Sequence, residues 1–528
     1  MKNLFLALLS GVLLAISWPT YGFPLFLFIG FVPLLLAENR IRKSKQTRSK
    51  RKIFGLAYLT FLLFNSGTTW WLYYASPFGM YFAILVNSLL MSLVFLSYHF
   101  LAKRIPSKLS KVALIALWIG FEKFHLNWEF SWPWLNLGNG FSNHHKWVQW
   151  YEYTGVFGGT LWIWIVNMGL YGALVQFLKD KKPKALLKGI LGSVGLVIIG
   201  ISASLYSYHS SPTEGEKSTV LVLQPNVDPY TEKYQLSNYK MAMDLVELAS
   251  EKMDSTVVFV IAPETSLPKP RVIKNFKKTS EYAILSKFVA QYPQSAFVSG
   301  ISFYERFSSQ LPPNKTANFF QDHKDWYNSY NSSFILQSDE ELQIYHKSKL
   351  VVGVEHIPYR SLLTPILGDA MIDLGGSVAT LTPQEERAVF SNANIHLAPI
   401  ICYESVYGDY VRQYIEKGSD FLAILTNDGW WSSSQGHKQH LSLARLRAIE
   451  TGRSIARAAN TGISALINEK GDLLSALPYG SKGCLKGEIT RSNRTTYYSQ
   501  HGDYIYRISM FVLVLILLGS FAKKKQPL

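Results

Sequence analysis

Cysteine and charge are both scarce in this chain. It has two cysteines, Cys402 and Cys484, in 528 residues, which cannot form a disulfide framework. Charged residues make up 17% of the chain, which is low for a soluble protein and ordinary for one that lies half in a membrane. The sequence also has no metal-ligand spacing, no P-loop, no dinucleotide-binding glycine motif and no internal repeat. We therefore expect neither a disulfide-stapled fold nor a metal or soluble cofactor.

Long apolar runs dominate the first 207 residues, and the chain is too long for one ordinary core. Eight apolar segments are long enough, or nearly so, to cross about 30 Å of hydrocarbon. They lie near residues 4–18, 23–38, 54–75, 79–101, 112–126, 155–178, 188–207 and 505–522. We read the first as a retained span, because a second apolar run follows without a small-residue cleavage site. This pattern predicts a multi-pass helical membrane domain of about eight spans: seven over 1–207, then a soluble domain over 208–503, and a last span with a basic tail over 504–528.

The net charge of +17 would ordinarily suggest a nucleic-acid partner, but the basic residues lie in short segments between apolar runs. Residues 39–52 hold eight Lys/Arg, 103–111 four, 179–188 five and 523–525 three, whereas the alternate loops hold almost none. Eight spans place every basic segment on one side, which the positive-inside rule makes the cytoplasm. We expect both termini in the cytoplasm, the soluble domain on the opposite side of the membrane, and no nucleic-acid partner.

A tryptophan-rich stretch runs from Trp128 to Trp150 and falls on the predicted outer side. It is interpreted in two ways. Tryptophan is enriched at membrane interfaces, so the stretch can be an aromatic belt. It can also shape an entrance for lipid beneath the soluble domain, and the two interpretations are compatible.

The soluble block alternates short β-branched runs with amphipathic stretches, which predicts an α/β layered fold. The predicted strands are 220–223, 257–261, 296–299, 333–336, 344–350, 395–401, 421–425 and 463–467, and the predicted helices are 239–253, 280–291, 406–417 and 436–451. In such folds functional sites gather at the carboxyl ends of strands.

Three reactive side chains end or follow apolar runs in this block: Cys402, Glu264 and Lys347. A lone cysteine at a strand end is most often a small buried hydrophobe, and Cys484 is read that way. Glu264 can equally be a turn carboxylate, and Lys347 a solvated lysine. Together, however, they supply a thiol nucleophile, a general base whose pKa burial would raise toward neutrality, and a cation for an oxyanion. No histidine stands in an equally convincing motif, which argues against a Cys-His pair.

With their surrounding motifs these residues resemble the Glu-Lys-Cys site of the carbon–nitrogen hydrolase (nitrilase) superfamily. The motifs are Leu223-Gln-Pro-Asn226, Pro263-Glu-Thr265, Tyr330-Asn-Ser332, Tyr345-x-Lys347-x-x-Leu350 with Glu355 eight residues after the lysine, Ile401-Cys-Tyr-Glu404, Thr426-Asn-Asp-Gly-Trp-Trp431, Gln439-His440 to Glu450, and Asn460-Thr-Gly462. A nitrilase-like domain between the seventh and eighth spans resembles one membrane-bound branch of the superfamily, the bacterial apolipoprotein N-acyltransferase family. The resemblance implies an αββα sandwich for the soluble domain.

The resemblance also implies roles for side chains. Cys402 would be the nucleophile, Glu264 the general base and Lys347 the oxyanion stabiliser. Supporting and substrate-binding roles would fall to Glu355, Glu404, Tyr403, Asn331 and Trp430. The chain departs from the family at two places: Val352-Gly-Val354 replaces a usual Pro-Phe-Gly, and Tyr230 or Tyr234 stands where a mobile loop usually has tryptophan. Both departures bear on the geometry of a lid and on acyl-chain preference.

The implied reaction is transfer of a fatty acyl chain from a membrane phospholipid, through a Cys402 thioester, to the free N-terminal α-amine of a diacylglyceryl-cysteine apolipoprotein. This is the last step of lipoprotein maturation, and we expect a monomer to carry it out. Two alternatives stay open at the level of sequence. One is a membrane-tethered amidase or nitrilase that hydrolyses small C–N substrates with the same triad. The other is a membrane scaffold with a degenerate nitrilase-like domain.

Overall fold

The chain forms two compact units in a computed structural model that describes residues 1–44, 48–211, 215–338, 340–360, 362 and 380–522. The first unit comprises Met1–Tyr73, Pro77–Ser211 and His501–Leu528, and the second Tyr74–Ser76 and Pro212–Gln500. The predicted basic tail, Lys523–Lys525, lies outside the described residues.

The first unit is helical, and each of the eight apolar segments falls largely within helical structure. Its helices are α1 Lys2–Ala15, α2 Leu27–Gly30, α3 Val32–Lys43, α4 Ser49–Thr69, α5 Pro77–Ala102, α6 Ser107–Asn127, α7 Tyr151–Thr154, α8 Val156–Asp180, α9 Pro183–Ser210 and, after α10–α15 of the second unit, α16 Tyr504–Ala522. Four stretches are long and apolar enough to cross a membrane: Pro24–Lys43, Pro77–Ala102, Val156–Asp180 and Pro183–Ser210. Lys2–Ala15 and Tyr504–Ser520 are shorter apolar helices. Several apolar helices are therefore present, and the count of eight spans stays a prediction.

The second unit contains two β-sheets. Its strands are β1 Lys217–Gln224, β2 Val257–Ile261, β3 Leu267–Val272, β4 Ala296–Phe307, β5 Asn318–Phe320, β6 Asp325–Leu336, β7 Gln343–His346, β8 Phe390–Asn392, β9 Ile395–Ile401, β10 Phe421–Thr426, β11 Ile455–Ala459, β12 Ser464–Ile467, β13 Leu473–Leu477 and β14 Gly483–Thr490. The first sheet has the order β14-β1-β2-β4-β6-β5, with β3 paired to β4 and β7 to β6. The second has the order β13-β12-β11-β10-β9-β8.

Helices cover the outer faces of the sheets. They are α10 Asn238–Ser250, α11 Ser280–Ala290, α12 Gly408–Val411, α13 Gln413–Glu416, α14 Gln435–Thr451 and α15 Tyr497–His501. Apolar side chains of α10 and α11 pack on β1, β2 and β4 in one core that includes Leu245, Leu285 and Phe297. Full burial of such side chains contributes about 1.5–3 kcal/mol each. Between the sheets, Phe259 and Phe421 meet edge to face with 5.5 Å between ring centroids.

The order helix, sheet, sheet, helix agrees with the expected nitrilase-like sandwich. All eight predicted strands are present: 257–261 and 395–401 have the predicted bounds, and the other six have shifted ends. The predicted helix 406–417 is wrong in detail, because it consists of α12 and α13, interrupted at Arg412. Strands β3, β5, β8, β11, β13 and β14 were not predicted.

Parallel pairing at the centre of each sheet brings the reactive segments to one edge. In the second sheet Ile401 of β9 pairs with Leu425 of β10, so Cys402 and Thr426 follow as neighbours at the strand ends. In the first sheet β1, β2 and β4 are parallel, and Glu264 lies three residues beyond β2. The backbone N–H of Lys347 donates to the Asn331 carbonyl at 2.8 Å, which fixes Lys347 beside β6.

Candidate active site

Cys402 begins a tight turn directly after β9, where it is 7% exposed. Its φ of +50° lies in the left-handed region, which is costly for a residue with a Cβ. Its carbonyl oxygen accepts a hydrogen bond from Ser405 Oγ at 2.7 Å, and His440 Nε2 lies 3.2 Å from the same oxygen. These contacts hold the turn that displays the thiol.

Glu264 and Lys347 form a buried ion pair, with 2.9 Å between Oε1 and Nζ. Lys347 is 1% exposed and lies equally close, 2.9 Å, to Glu355 Oε1. Asn331 Nδ2 donates to the same two carboxylates, at 2.8 Å to Glu264 and 2.9 Å to Glu355. One lysine and one amide therefore bridge two carboxylates that would otherwise repel each other.

The charges in this cluster set the resting protonation states. Burial raises the pKa of Glu264. The charge and hydrogen bond of Lys347, the charge of Lys233 and a hydrogen bond from Asn331 together lower it by more, so the pKa lies below the ordinary value. Burial likewise lowers the pKa of Lys347, and Glu264 and Glu355 overcome this and raise it well above the ordinary value. The expectation that burial brings Glu264 toward neutrality is therefore wrong, because Lys347 supplies a counter-charge at 2.9 Å.

The Cys402 thiol is protonated at rest. Its pKa is raised first by burial and then by the Glu264 carboxylate, against the opposing effects of Lys347 and a hydrogen bond with Thr426. The structure thus brings Cys402, Glu264 and Lys347 close enough for their charges to interact, as a neutral thiol beside a buried ion pair. Such an arrangement suits a base that removes the proton as the sulfur attacks, rather than a preformed thiolate.

Glu404 is fully buried and acts as a multiple acceptor. Its Oε2 accepts from the Ile401 N–H at 2.7 Å, and its Oε1 accepts from the Ser348 N–H at 2.6 Å and from the Tyr345 hydroxyl at 2.6 Å. Tyr410 adds a hydroxyl at 2.8 Å. Burial raises the pKa of Glu404, and these donors offset only part of that effect. The carboxyl ties the strand end before Cys402 to the segment after Lys347, so it holds nucleophile and cation in one frame.

Tyr403 and Trp430 each form an edge-to-face aromatic pair. Tyr403 is buried and meets Tyr407 edge to face, with 5.2 Å between centroids. Trp430 meets Tyr230 edge to face at 5.1 Å, and the Tyr230 hydroxyl donates to the Trp430 carbonyl at 3.0 Å. Tyr230 is 58% exposed, so this pair forms an aromatic rim on the second unit. Where the chain has Val352-Gly-Val354 in place of the family's usual Pro-Phe-Gly, the side chain of Val354 is 51% exposed.

Sequence reasoning missed the network behind the nucleophile. Asp428 accepts from Arg457 NH2 at 2.6 Å, and its other oxygen lies 2.9 Å from His440 Nδ1. Burial raises the pKa of Asp428, but the charges of Arg457 and His440 lower it to well below the ordinary value. The network links β10, α14 and β11 to the Cys402 turn. Asp428 and His440 both lie in motifs quoted above, but no role was predicted for either residue.

Lys233 is a second buried lysine that sequence reasoning missed. Its side chain is buried at 1% exposure, and its Nζ donates to the Glu264 carbonyl at 3.2 Å and to Thr265 Oγ1 at 2.5 Å. It lies in the irregular segment between β1 and α10, where its neighbours Glu232 and Tyr234 are exposed. Nothing in that local sequence distinguishes it from a solvated lysine.

Other motif residues connect the strands rather than the reactive groups. Gln224 Oε1 accepts from the Ser464 N–H at 3.0 Å, and Asn460 Nδ2 donates to the Val227 carbonyl at 2.7 Å, so both link β1 or the segment after it to the second sheet. Within the described residues no group of three or more His, Cys, Asp or Glu side chains is arranged to hold a metal ion.

The chain is similar to known proteins over nearly its whole length. The family model described as apolipoprotein N-acyltransferase N-terminal domain matches residues 10–169, and that described as carbon–nitrogen hydrolase matches 222–498, more than half of the chain. Apolipoprotein N-acyltransferase of Chlorobaculum tepidum is 26% identical, with 99% of this chain and 97% of that protein covered. Apolipoprotein N-acyltransferase of Geobacter metallireducens is 25% identical, with 95% of this chain and 92% of that protein covered. Among solved structures, Saccharomyces cerevisiae Nit3 of the nitrilase superfamily covers 53% of this chain and 92% of its own, with 14% identity and a TM-score of 0.36. The chain therefore belongs to the carbon–nitrogen hydrolase family and is an acyltransferase, similar over nearly its whole length to the apolipoprotein N-acyltransferases.

Proposed function

We propose that this acyltransferase moves a fatty acyl chain from a membrane phospholipid to the free N-terminal α-amine of diacylglyceryl-cysteine apolipoproteins, through a thioester on Cys402. The observation that carries the proposal is the buried thiol of Cys402 beside the Glu264–Lys347 ion pair, in a chain whose relatives over nearly full length are N-acyltransferases. The amidase alternative gains no support from those relatives.

In the first half-reaction Glu264 takes the thiol proton as Cys402 Sγ attacks an ester carbonyl carbon of the phospholipid. The S–C bond forms, and the negative carbonyl oxygen is stabilised by the ammonium group of Lys347. The intermediate then collapses, and the bond from carbon to the glycerol oxygen breaks. Glu264 returns its proton to that oxygen, which releases a lysophospholipid and leaves the thioester.

In the second half-reaction the neutral α-amine of the apolipoprotein attacks the thioester carbonyl. The N–C bond forms, the S–C bond breaks, and Glu264 carries the surplus amine proton to the departing sulfur. The amide product leaves with the enzyme restored. Water must be kept from the thioester between the two halves, because hydrolysis would waste the acyl chain.

The supporting residues act on this machinery indirectly. Glu355 accepts from Lys347 at 2.9 Å, and Asn331 donates to Glu264 at 2.8 Å and to Glu355 at 2.9 Å. These contacts hold Lys347 and Glu264 in register. Glu404 fixes the chain on either side of the site, and Tyr403 packs beside the nucleophile. Trp430 and Tyr230 form an apolar rim suited to acyl chains. All three reactive groups come from one chain, so a monomer would suffice.

The proposed setting is the bacterial inner membrane, with the catalytic domain over 208–503 on the periplasmic side and both termini in the cytoplasm. The clustering of Lys and Arg in alternate loops of the sequence supports this orientation. Membrane residence also brings both lipid substrates to the enzyme by diffusion in two dimensions.

The test uses the purified full-length chain in mixed micelles with a phospholipid labelled in its acyl chains. Wild type should form a labelled thioester on Cys402, detected by mass spectrometry and lost on hydroxylamine treatment, and should then N-acylate a diacylglyceryl-cysteine lipopeptide. Cys402→Ser should form neither thioester nor acylated lipopeptide, whereas Cys484→Ser, the matched thiol control, should behave as wild type. Transfer by Cys402→Ser at the wild-type rate would refute the mechanism. Release of free fatty acid without lipopeptide product would favour the hydrolase alternative.

A further inference from the structure

The buried cluster contains more positive charge than a Glu-Lys-Cys triad requires. Lys233 contributes a second ammonium group next to Glu264, and its side chain is as inaccessible as that of Lys347, each at 1% exposure. Burying an unpaired ammonium group costs several kcal/mol, so an isolated one would be strongly destabilising. The contacts of Lys233 with Glu264 and Thr265 therefore compensate this cost.

The charge of Lys233 balances the second carboxylate of the cluster. Glu264 and Glu355 carry two negative charges, and Lys347 alone neutralises one of them. Burial strengthens such interactions, because the effective dielectric constant falls inside a protein. With Lys233 the two carboxylates and two ammonium groups are neutral at rest. When a proton moves from Cys402 to Glu264 these four groups carry a net charge of +1, which balances the new charge of −1 on the sulfur. Without Lys233, the new sulfur anion would form in a cluster that already carries excess negative charge.

The contacts of Lys233 also fix the backbone at the base. Thr265 has a φ of +45°, a left-handed conformation that a residue with a branched Cβ rarely adopts. Gly300 of β4 also packs closely against this turn: a Cβ added there would lie 2.3 Å from the Thr265 nitrogen and 2.7 Å from Glu264 Cα. The turn is thus held by its packing on Gly300 and by the two hydrogen bonds from Lys233.

We propose that Lys233 is a positioning residue for the acyl-transfer reaction: its ammonium group holds the strained turn that aims Glu264 and supplies the second positive charge that keeps Glu264 ionised and offsets the developing anion on Cys402. This inference rests on the proposed role of Glu264 as the base. Lys233 acts through that base, since its described contacts are with the main chain of Glu264 and the side chain of Thr265.

The titration of Lys233 is consistent with this assignment. Burial lowers its pKa to about 8, against the opposing charges of Glu264 and Cys402. The other charged groups of the cluster are Lys347, which pairs with Glu264, and Glu355, which pairs with Lys347. At neutral pH Lys233 is therefore mostly charged, and it loses its charge as the pH rises through about 8.

The experiment measures the rate of Cys402 thioester formation from labelled phospholipid across pH 5 to 10, using the full-length enzyme in mixed micelles. Lys233→Met keeps the length of the side chain and removes its charge. Loss of a neighbouring cation should raise the pKa of Glu264, so we expect the acid limb of the profile to move up by about one pH unit or more. The maximal rate should also fall at least tenfold. Lys252→Met is the matched control, because Lys252 Nζ also donates to a main-chain carbonyl, that of Cys484, at 2.9 Å.

Lys233→Arg provides a second and independent readout. A guanidinium group stays charged throughout this range, so any decline caused by loss of the Lys233 proton near pH 8 should be absent from this variant. The inference is overturned if Lys233→Met keeps the wild-type acid limb, whatever its maximal rate, because a purely structural role would lower the rate without moving the limb. If Lys233→Met does not accumulate as folded protein, persistence of the wild-type alkaline decline in Lys233→Arg overturns it instead. Thioester-independent transfer by Cys402→Ser would refute the proposed function itself, which is a separate result.

Discussion

Lys347 lies midway between two carboxylates: its Nζ is 2.9 Å from Glu264 Oε1 and 2.9 Å from Glu355 Oε1. Removal of the Lys347 ammonium group would leave both carboxylates buried without this counter-ion. The ion pair therefore couples the proposed base, Glu264, to the proposed oxyanion stabiliser, Lys347, so a change in the charge of one alters the pKa of the other.

Replacement of Lys347 by methionine should slow thioester formation by about 10²–10³-fold, because a preorganised donor to the oxyanion is lost. The two carboxylates would then lie near each other without a counter-ion, which adds to the loss. Single-turnover measurement of the labelled acyl-enzyme checks this. Lys240→Met serves as control, since Lys240 forms an exposed pair with Asp244 on α10. A variant that acylates at more than a tenth of the wild-type rate would contradict the role given to Lys347.

Replacement of Glu264 by glutamine should make Cys402 react faster with a small neutral alkylating agent at pH 8–9, even as acyl transfer is lost. The Glu264 carboxylate raises the pKa of the thiol, second only to burial, so removing that charge favours the thiolate. The comparison uses a Cys484→Ser background, so that a single thiol remains, with mass spectrometry of the modified residue. Slower alkylation in Glu264→Gln than in its parent would show that the carboxylate promotes the anion at rest.

Replacement of Glu404 by glutamine should destabilise the protein by about 2–3 kcal/mol. The amide nitrogen would face the Ile401 N–H or the Ser348 N–H, and a buried donor left without an acceptor costs about 1–3 kcal/mol. Thermal unfolding of the purified protein in detergent measures the change. Glu416→Gln is the control, because Glu416 forms an exposed pair with Arg412. Equal unfolding temperatures for the two variants would contradict the prediction.

Acid should destabilise the protein through Asp428 and Glu264. Both have a lower pKa in the folded chain than in the unfolded chain, so the unfolded state binds protons first as the pH falls. Their contribution is complete above the ordinary carboxyl pKa of about 4 and is lost below it, down through the folded values. Unfolding temperatures recorded between pH 7 and pH 3 test this. Asp428→Asn should have a lower unfolding temperature at pH 7 and a shallower fall toward pH 3 than wild type.

Cys402, Glu264 and Lys347 could be predicted as candidate site residues because each ends or follows an apolar run and lies in a motif that resembles the family. In the structure, parallel pairing of β9 with β10, and of β1, β2 and β4, brings the strand ends before Cys402 and Glu264 to one edge of their sheets. The pKa of Glu264 could not be predicted in this way. Its direction depends on a lysine 83 positions away in the chain, and local burial alone gives the opposite sign.

The burial of Lys233 likewise could not be predicted from the local sequence. It lies in an irregular segment with exposed neighbours, and only the fold turns its side chain under the Glu264 turn. The six strands that were missed have similar causes. For example, β5 and β8 are three residues long, and β3 contains two prolines, so periodicity gave little signal. Long-range contacts, rather than local preferences, determine these features.

The left-handed backbone at Cys402 has a consequence for how this enzyme changes over time. Its conformation costs about 1–3 kcal/mol, which the surrounding hydrogen bonds must offset. A glycine at position 402 would relieve that cost and remove the proposed nucleophile. Selection for durability and selection for turnover therefore oppose each other at this residue, and a more heat-resistant descendant has to gain its robustness elsewhere in the chain.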